Sequence, residues 1–340
     1  METYHNLVKD VLKLGEFKES RTGIDTIYFF GYNYKIDLSE GFPLLTTKKM
    51  NDYRWNSLIH EFLWYISGQE HIKELKEKTK IWDAWADKQG YLETAYGRFW
   101  RRYPIPEKGL DGEIWADEII TNWVNIEKDG SKTFDQVKYV LDTIKNNPNS
   151  RRITVNAWHP ANSSISKLPP CHFAFVFDVN KDKLNLHLTQ RSGDIALGIP
   201  FNIAAYSILD TVFAQQSNLK PGIFDHLIVN AHIYCGRSGE GQRGEFYENN
   251  ILTLKDKMNN VNNLDDYLII KDWIEKNAPK EIKGEEGYDH VPGLLEQLSR
   301  IPRSKPKLKI NNKSLEELQF EDFNLLDYDP YPGIKFKVAV

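Results

Sequence analysis

The sequence predicts an α+β fold for a chain of 340 residues. Apolar and polar residues alternate in three consecutive segments between residues 152 and 189, a pattern that indicates half-buried β-strands. Segments with helical spacing of apolar residues stand before and after them. Because strands and helices are mixed without a regular β-α-β rhythm, an α+β domain is favoured over a parallel α/β sheet.

The N-terminal part begins with an amphipathic helix, which we expect to end near Leu14–Gly15 because glycine commonly terminates helices. Residues 26–38 are rich in β-branched and aromatic side chains and are predicted as strands. A turn signal follows at residues 41–43. An apolar helix is then predicted over residues 56–67, with Gly68 as its stop.

The central part carries the densest strand signal. Strands are predicted over residues 152–158, 171–179 and 184–189, each with alternating apolar positions. A helix over residues 203–216 follows, because its apolar side chains recur at helical spacing. The next strand is predicted over residues 227–234.

Two segments, at about 102–133 and 235–290, look like additions to this core. The first contains several acidic residues, and the second opens with the glycine-rich run CGRSGEGQRGE. Neither has a strong apolar periodicity. Both are therefore predicted to be surface elaborations of one domain that spans residues 1–340.

Composition weighs against several classes of protein. Lys and Arg number 44 and Asp and Glu 48, a net charge of −4, whereas a general nucleic-acid binder is usually basic. Two cysteines exclude a disulfide scaffold and a four-thiolate zinc site, and without another zinc-type cluster no metal is expected. No run of about 18 apolar residues predicts a membrane helix, and the N-terminus lacks the apolar core of a signal peptide. The expected location is the cytoplasm.

Cys171 is the first candidate for chemistry. It follows two prolines, which rigidify the backbone and place its sulfur at the start of a predicted strand. An ionised thiol is the strongest nucleophile among side chains near neutral pH, and cationic neighbours would lower its pKa. Taken alone, a buried cysteine is more often a small apolar filler, and Cys235 keeps that interpretation.

Polar residues around the following strands suit the recognition of an anion, a base and a sugar. Arg191 and Ser192 offer guanidinium and hydroxyl donors for a phosphate. Asn202 opens the apolar helix, so a helix N-cap is the favoured interpretation and a base-reading amide the alternative. His232 and Tyr234 alternate on one strand and share a face, where they could bind a sugar hydroxyl or pack in the core.

Three further features have both a chemical and a structural interpretation. Glu61 lies within the apolar helix, where desolvation would raise its pKa into the range useful for proton transfer; the alternative is a solvated helix face. Trp82 and Trp85 form a flat aromatic surface that would stack on a pterin or a base, or fill a core. Arg151 and Arg152, taken alone, are a solvated charge pair.

None of these features decides the function alone, and no P-loop or dinucleotide-binding fingerprint is present. Together, ordered motifs along most of the chain resemble those of the folate-dependent thymidylate synthases, in a longer archaeal-type branch. The motifs are Arg21-Thr22-Gly23, residues 41–49 (GFPLLTTKK), Glu61-Phe62-Leu63-Trp64, Ile81-Trp82-Asp83, Tyr96-Gly97, Ser150-Arg151-Arg152, Pro170-Cys171-His172, residues 190–194 (QRSGD), residues 197–204 (LGIPFNIA), His232-Ile233-Tyr234, Tyr328-Asp329-Pro330, Pro332-Gly333-Ile334-Lys335 and Val338-Ala339-Val340.

The resemblance implies a thymidylate synthase fold, in which a twisted mixed β-sheet is covered by helices and two sheets pack back to back in a homodimer. It also implies reductive methylation of dUMP to dTMP, with 5,10-methylenetetrahydrofolate as the one-carbon and hydride donor and dihydrofolate as the second product. Cys171 would form a covalent adduct at carbon 6 of the uracil. The other catalytic residues implied are Glu61, His172, Tyr96 and Asp194.

Binding residues are implied in the same way. The 5′-phosphate of dUMP would be bound by Arg21, Arg191 and Ser192, with Arg151 and Arg152 contributed by the partner subunit. The uracil edge would be bound by Asn202 and the ribose by His232 and Tyr234. The residues implied for the folate are Trp82, Trp85, Leu168, Asp194, Gly198 and Val340, the last closing over the site as a lid. Positive potential from the arginines would favour the Cys171 thiolate.

The chain departs from the family pattern at four places. Asn230 replaces the usual Asp, Thr189 the usual Tyr and Val176 the usual Gln. The Asn-His pair that normally follows the His-x-Tyr strand is missing, because the second addition begins there at Cys235.

Three alternatives stand beside methyl transfer. A hydroxymethylase of the same family, acting on dUMP or dCMP, is disfavoured by the retained Trp82, Asn202 and Val340. A non-catalytic nucleotide- or RNA-binding module on this fold would give Cys171 no role. A Cys–His hydrolase is disfavoured because Cys171 and His172, adjacent on a strand, point to opposite faces.

Overall fold

A computed structural model describes residues 1–105, 122–284 and 286–339. Part of the first addition lies outside the described residues, and so does Val340, the predicted lid. The described helices are α1 (Glu2–Leu14), α2 (Tyr53–Ser67), α3 (Tyr96–Arg101), α4 (Gln136–Asn146), α5 (Pro160–Ile165), α6 (Gly198–Gln216), α7 (Arg243–Asn259), α8 (Asp265–Asn277) and α9 (Val291–Leu298). The described strands are β1 (Glu16–Lys18), β2 (Ile24–Asp37), β3 (Tyr103–Pro104), β4 (Val124–Ile126), β5 (Lys132–Phe134), β6 (Thr154–Asn156), β7 (His172–Asn180), β8 (Lys183–Asp194), β9 (Lys220–Arg237), β10 (Lys307–Ile310) and β11 (Phe323–Leu326).

Six strands form the central sheet, in the order β1-β2-β9-β8-β7-β6. All neighbours are antiparallel except β8 and β9, which run parallel, so the sheet is mixed. Two smaller sheets have the orders β3-β5-β4 and β10-β11. The predicted α+β class and the mixed sheet implied by the resemblance are confirmed.

Helix α6 packs on one face of this sheet, against β8 and β9. It is apolar on nearly every side and largely buried, as expected for a helix enclosed by other elements. The alternation predicted in β8 sets its register, because Leu184, Leu186 and Leu188 are fully buried while the residues between them are half-exposed.

The N-terminal predictions agree closely with the structure. Helix α1 ends at Leu14, and α2 ends before Gly68, whose φ of 74° is the left-handed conformation that glycine adopts most readily. Helix α2 begins a few residues earlier than predicted, because the Asp52 carboxylate accepts a hydrogen bond from the Arg54 N–H and caps the helix.

Helix α6 begins at Gly198, five residues before the predicted start, and the N-cap interpretation of Asn202 is therefore wrong. Pro200 lies in the first turn of the helix, where its missing N–H costs little. Just before the helix, the Asp194 carboxylate accepts hydrogen bonds from the N–H groups of Ala196 and Leu197. Asn202 thus lies within the helix, and its amide oxygen accepts a hydrogen bond of 3.0 Å from Gln190 Nε2.

The ends of several strands were also beyond prediction. β6 covers only Thr154–Asn156, whereas β8 continues through residues 190–194 to pair with β9. Those residues are polar and carry no apolar alternation, so only the ladder with β9 reveals that they belong to a strand.

The second addition packs onto the domain through its helices. α7 contacts α1, and α8 contacts α9. Leu254, Met258 and Ile274 are buried there. Within the described ranges, no helix is both long and apolar enough to span a bilayer.

Candidate active site

Cys171 lies immediately before β7, and its thiol contacts a fixed guanidinium. Arg191 Nη2 lies 3.6 Å from Cys171 Sγ, and the same guanidinium donates to the carbonyls of Pro169 (2.6 Å) and Pro170 (2.9 Å). The Cys171 N–H donates to the Tyr96 hydroxyl at 2.6 Å. The two prolines therefore supply the carbonyl groups that hold Arg191 against the sulfur.

The pKa of the Cys171 thiol is raised, contrary to the expectation that nearby arginines would favour the thiolate. Burial is the largest cause, and it outweighs the lowering effects of Arg191, of the Tyr96 contact and of Arg21. Arg191 and Arg21 lower the pKa of the thiol, as predicted. Within one chain, however, their effect is smaller than that of burial, so the net shift is upward.

His172 and Tyr96 form a stacked pair beside Cys171. Their ring centroids are 3.9 Å apart at an interplanar angle of 8°. His172 Nδ1 lies 2.7 Å from the Tyr206 hydroxyl, and burial lowers the pKa of His172 to about 3. The imidazole is therefore neutral at physiological pH and acts as a fixed polar group.

Glu61 lies on α2 and accepts a hydrogen bond of 2.7 Å from Trp82 Nε1. Burial raises its pKa to about 7, although hydrogen bonds from Tyr65 and Trp82 oppose this. The shift predicted from the apolar helix is confirmed. Trp82 packs against both Tyr96 and Trp85 with centroid distances of 6.0 Å, so aromatic rings connect the carboxylate to the residue that contacts Cys171.

Asp194, at the end of β8, is a second half-buried carboxylate of the site. Burial would raise its pKa, but the contact with His290, together with the electrostatic effects of His290 and His232, outweighs burial and leaves the pKa below its usual value. Asp194 Oδ1 lies 3.6 Å from His290 Nδ1. Gly198 lies between this carboxylate and Asn202, since a Cβ atom there would be 3.8 Å from both side chains.

The β8–β9 ladder assembles the predicted phosphate and ribose residues. It pairs Ser192 with Asn230 and Asp194 with His232. The His232 and Tyr234 rings are 5.0 Å apart, so the predicted shared face is confirmed. Arg21 is exposed, in the turn before β2, and its charge acts on both Cys171 and Tyr234.

Among the contacts described within one chain, none brings three of the predicted residues to the site: Arg151, Arg152 and Leu168. Arg151 and Arg152 are exposed on the loop before β6. In the described part of the chain, neither guanidinium hydrogen-bonds to the residues above. Leu168 is half-buried, and its carbonyl accepts a hydrogen bond of 2.9 Å from Thr94 Oγ1.

Comparison with known proteins agrees with this geometry. A sequence model described as thymidylate synthase matches residues 2–340. The thymidylate synthase of Haloferax volcanii is 57% identical over 334 residues, which are 98% of this chain and 95% of that protein. The chain belongs to the thymidylate synthase family. Membership confirms the predicted enzyme class, a methyltransferase, and its co-substrate, 5,10-methylenetetrahydrofolate.

His290 is a site residue of this thymidylate synthase family member that sequence reasoning missed. It is fully buried, and its ring packs against that of Tyr234 with the centroids 5.5 Å apart. Its backbone N–H donates to the Tyr234 carbonyl at 2.9 Å. His290 thus lies beside the His-x-Tyr strand although it comes from the far end of the second addition. Its distance along the chain left no sequence signal.

Asp289 anchors that histidine. Its fully buried carboxylate accepts hydrogen bonds from Arg243 Nη1 (2.6 Å) and from the Tyr247 hydroxyl (2.9 Å). The Glu281 carboxylate accepts from the N–H groups of residues 287–289. Helix α7 of the addition thus fixes the backbone that carries His290.

Lys48, quoted in a family motif without an assigned role, is also at the site. Its Nζ donates to the Ala196 carbonyl and lies 4.8 Å from the centre of the Phe336 ring. Burial lowers its pKa to about 7, and the charge of Asp194 opposes this.

Among the three substitutions relative to the family, only Asn230 lies at the site, with Oδ1 3.0 Å from His232 Nδ1. Thr189 and Val176 lie on the sheet face opposite α6. Thr189 Oγ1 is 3.0 Å from His187 Nε2, and Val176 pairs with His187 across the strands.

Proposed function

We propose that Cys171 is the nucleophile with which this chain converts dUMP to dTMP. The observation that carries the proposal is the contact of the Cys171 thiol with Arg191, whose guanidinium is held by two backbone carbonyls. A thiol beside a fixed cation at a strand end is the arrangement expected of a positioned nucleophile.

In the first step, the Cys171 thiol gives its proton to solvent water and its sulfur bonds to carbon 6 of the pyrimidine. The electron pair of the 5,6 double bond moves toward carbon 5 and oxygen 4, which makes carbon 5 nucleophilic. When bound, 5,10-methylenetetrahydrofolate supplies the one-carbon unit for carbon 5 and the hydride that reduces this unit to a methyl group, and dihydrofolate leaves. Loss of the carbon 5 proton and release of the sulfur from carbon 6 restore the double bond.

Glu61 carries the proton transfers at oxygen 4 and carbon 5 in this proposal. A carboxyl group with a pKa of about 7 is present in both forms at neutral pH, so it can donate and accept. Trp82 holds one of its oxygens. Tyr96 and the neutral His172 pack beside Cys171 and order the polar surroundings of the ring.

The remaining residues bind and orient the nucleotide. Arg191, Ser192 and Arg21 bind the 5′-phosphate, so that binding energy from a group remote from the reaction positions the ring. Asn202 binds the uracil edge. His232 and Tyr234 bind the ribose, since their rings lie side by side at the same end of β9.

The site also suits a folate. Trp82 and Trp85, in edge contact, offer an aromatic wall, and the half-buried Leu168 would add an apolar contact. Asp194 stays ionised and can accept from ring N–H groups, with Gly198 leaving space beside it. Val340 would close the site and exclude water.

The active form is proposed to be a homodimer in the cytoplasm. Leu227 and Val229, on the sheet face opposite α6, are only half-buried in one chain. A second sheet packed against this face would cover them. The same pairing would bring the exposed Arg151 and Arg152 to the phosphate of the partner subunit.

The test of the nucleophile is incubation with 5-fluoro-dUMP and 5,10-methylenetetrahydrofolate, followed by intact-protein mass measurement. We expect a stable adduct of both ligands in the wild-type protein and in Cys235→Ala, and none in Cys171→Ser. An adduct in Cys171→Ser would contradict the assignment. With dUMP itself, a hydroxymethyl nucleotide as product would support the hydroxymethylase alternative.

The shared site has a separate test. Cys171→Ser and Arg151→Ala/Arg152→Ala are each expected to be inactive. Unfolding and refolding them as a mixture should restore activity, because one site of each mixed dimer is intact. If the mixture of the two inactive variants is also inactive, Arg151 and Arg152 do not serve the site of the partner subunit.

A further inference from the structure

The C-terminal tail, defined here as residues 334–339, rests on the far end of the second addition. The Lys337 N–H donates to the Gly287 carbonyl at 2.9 Å. Lys337 Nζ donates to the Gly284 carbonyl at 3.0 Å and lies 4.6 Å from the centre of the Tyr288 ring, a distance that suits a cation–π contact. The tail is therefore held through both the backbone and the side chain of Lys337.

His290 holds the same stretch of the tail from the inside of the protein. Its Nε2 lies 2.9 Å from the Lys337 carbonyl, and because a carbonyl can only accept, the ring must donate from this nitrogen. The His290 and Phe336 rings pack with their centroids 5.0 Å apart. Gly293 leaves the space for Phe336, since a Cβ atom there would be 2.6 Å from this ring. We call residues 287–290 the tail seat.

The rest of the second addition holds the tail seat in its shape. The Glu281 carboxylate accepts hydrogen bonds of 3.0 to 3.1 Å from the N–H groups of residues 287–289. The ion pair of 2.6 Å between Arg243 and the buried Asp289 fixes the seat to α7. These contacts are made within the addition, so the seat can keep its shape whether or not the tail occupies it.

The seated tail is connected to the polar side of the candidate active site at two points. His290, which donates to the tail, has its Nδ1 3.6 Å from Asp194 Oδ1. The Phe336 ring faces Lys48, whose Nζ lies 4.8 Å from the ring centre. The contacts that hold Phe336 and Lys337 therefore also determine where the end of the chain leaves the protein relative to Asp194.

We propose that Lys337, Tyr288 and His290 are positioning residues, and that the second addition keeps the C-terminal tail seated beside the folate site before the folate binds. This inference rests on the proposed function, in which Asp194 binds the folate. A tail that is already in place loses little conformational entropy on binding, so its ordering subtracts less from the binding free energy. If only a fraction of the molecules had a seated tail, the apparent affinity for the folate would fall by that fraction.

The first experiment compares two lysines of the tail by steady-state kinetics of the full-length protein at saturating dUMP. Lys337→Ala removes the side-chain contacts with Gly284 and Tyr288. We expect the KM for 5,10-methylenetetrahydrofolate to rise by about 5-fold, the effect of one partly exposed cationic contact. The kcat should stay unchanged, because saturating folate selects the seated tail. Lys335→Ala is the matched control, since Lys335 is exposed in the same tail, and it should change neither constant.

Glu281→Gln tests the role of the addition itself. A neutral amide accepts weaker hydrogen bonds than a carboxylate, so the substitution loosens residues 287–289 and leaves Lys337 in place. We expect the KM for the folate to rise by about 3- to 10-fold, again with an unchanged kcat.

Hydrogen–deuterium exchange of the ligand-free protein, followed on the C-terminal peptide by mass spectrometry, reports directly on the seat. The Lys337 amide should exchange slowly in the wild-type protein and in Lys335→Ala, because it donates to the Gly287 carbonyl. In Glu281→Gln and Tyr288→Ala it should exchange about 10-fold faster, since a weaker seat opens more often.

The outcomes separate the two proposals, because the exchange experiment contains no ligand. Rapid exchange of the Lys337 amide in the wild-type protein would show that the tail is not seated and would overturn this inference. So would Lys337→Ala and Glu281→Gln variants that melt at lower temperature with an unchanged KM, because the seat would then be structural only. If the wild-type protein forms no dTMP, the proposed function fails, and the dissociation constant of the folate, measured by calorimetry, replaces KM in the same comparison.

Discussion

Two half-buried carboxylates of the site, Glu61 and Asp194, have surroundings that shift their pKa values in opposite directions. Glu61 is enclosed mainly by aromatic rings and receives hydrogen bonds from neutral donors, so burial dominates and its pKa rises to about 7. Asp194 is equally enclosed, yet contacts with His290, His232 and backbone N–H groups hold its pKa below the usual value. Burial alone does not decide the charge of a site residue; its donors and cationic neighbours do.

The division of roles is tested most strongly by Glu61→Gln. We expect kcat to fall by about 10²- to 10⁴-fold, the usual loss on removing a proton-transfer group. The ionisation near pH 7 should also disappear from the pH dependence of kcat, because the amide does not titrate. A step near pH 7 that persists in the variant would assign it to another group.

The polar side of the site depends on the second addition, which Arg243→Ala should reveal. Removing this cation leaves the buried Asp289 unpaired, at a cost of about 3 kcal/mol in the free energy of unfolding. Burial already raises the pKa of Asp289 against the effect of Arg243. A group whose pKa is raised by folding destabilises increasingly as pH rises above its unfolded value, so the loss should be larger at pH 8 than at pH 5 in urea unfolding.

Lys271→Ala is the control for that experiment. It removes a more exposed ion pair with Glu296, between α8 and α9, so the free energy of unfolding should change by less than about 1 kcal/mol. Equal losses in the two variants would contradict the special role of the Arg243–Asp289 pair.

Asp194→Asn should have a moderate effect of a different kind. The variant keeps the size of the side chain but loses the anion, so the KM for 5,10-methylenetetrahydrofolate should rise by roughly 10-fold, as expected for one charged hydrogen bond. The step near pH 7 should remain, because Glu61 is intact. A lost step with an unchanged KM would reverse the roles of the two carboxylates.

A third carboxylate, Asp210 on α6, isolates the effect of burial. Its side chain is fully buried, and burial raises its pKa well above the usual value, with only a Gly222 N–H opposing. Asp210→Asn should therefore raise the melting temperature at pH 8 by roughly 2 °C, for about 1 kcal/mol, and change it less at pH 4. A lower melting temperature at pH 8 would show that the ionised carboxylate stabilises the fold.

The sequence was sufficient for the periodic elements and for the residues that lie in short motifs. It located α1, α2 and the alternating strands, because their burial follows a fixed spacing. It also predicted the raised pKa of Glu61, since the cause is local to one helix. It placed Asn202 at a helix cap, because the first turn of α6 contains a proline and no apolar repeat.

Residues joined only by the fold were out of reach. His290 contacts Tyr234 and Asp194 from the far end of the second addition. His226 on β9 lies within hydrogen-bond distance of Gln190 on the neighbouring strand β8. The sign of the thiol pKa was out of reach as well, because it depends on the balance between the burial of Cys171 and the charges of Arg191 and Arg21. The balance between these effects can be evaluated only from the positions of the atoms in the folded chain.

The chain leaves the framework at Cys235 and returns beside it, since Cys235 and Asp289 form a β-bridge and His290 donates to the Tyr234 carbonyl. Because the two ends of the second addition lie next to each other, the addition does not pull β9 and α9 apart. Its length can therefore change without displacing β9 only where Arg243 and Tyr247 still hold Asp289. The adjacent ends of the second addition are also a place where a foreign loop or a sensor peptide could be inserted close to Tyr234.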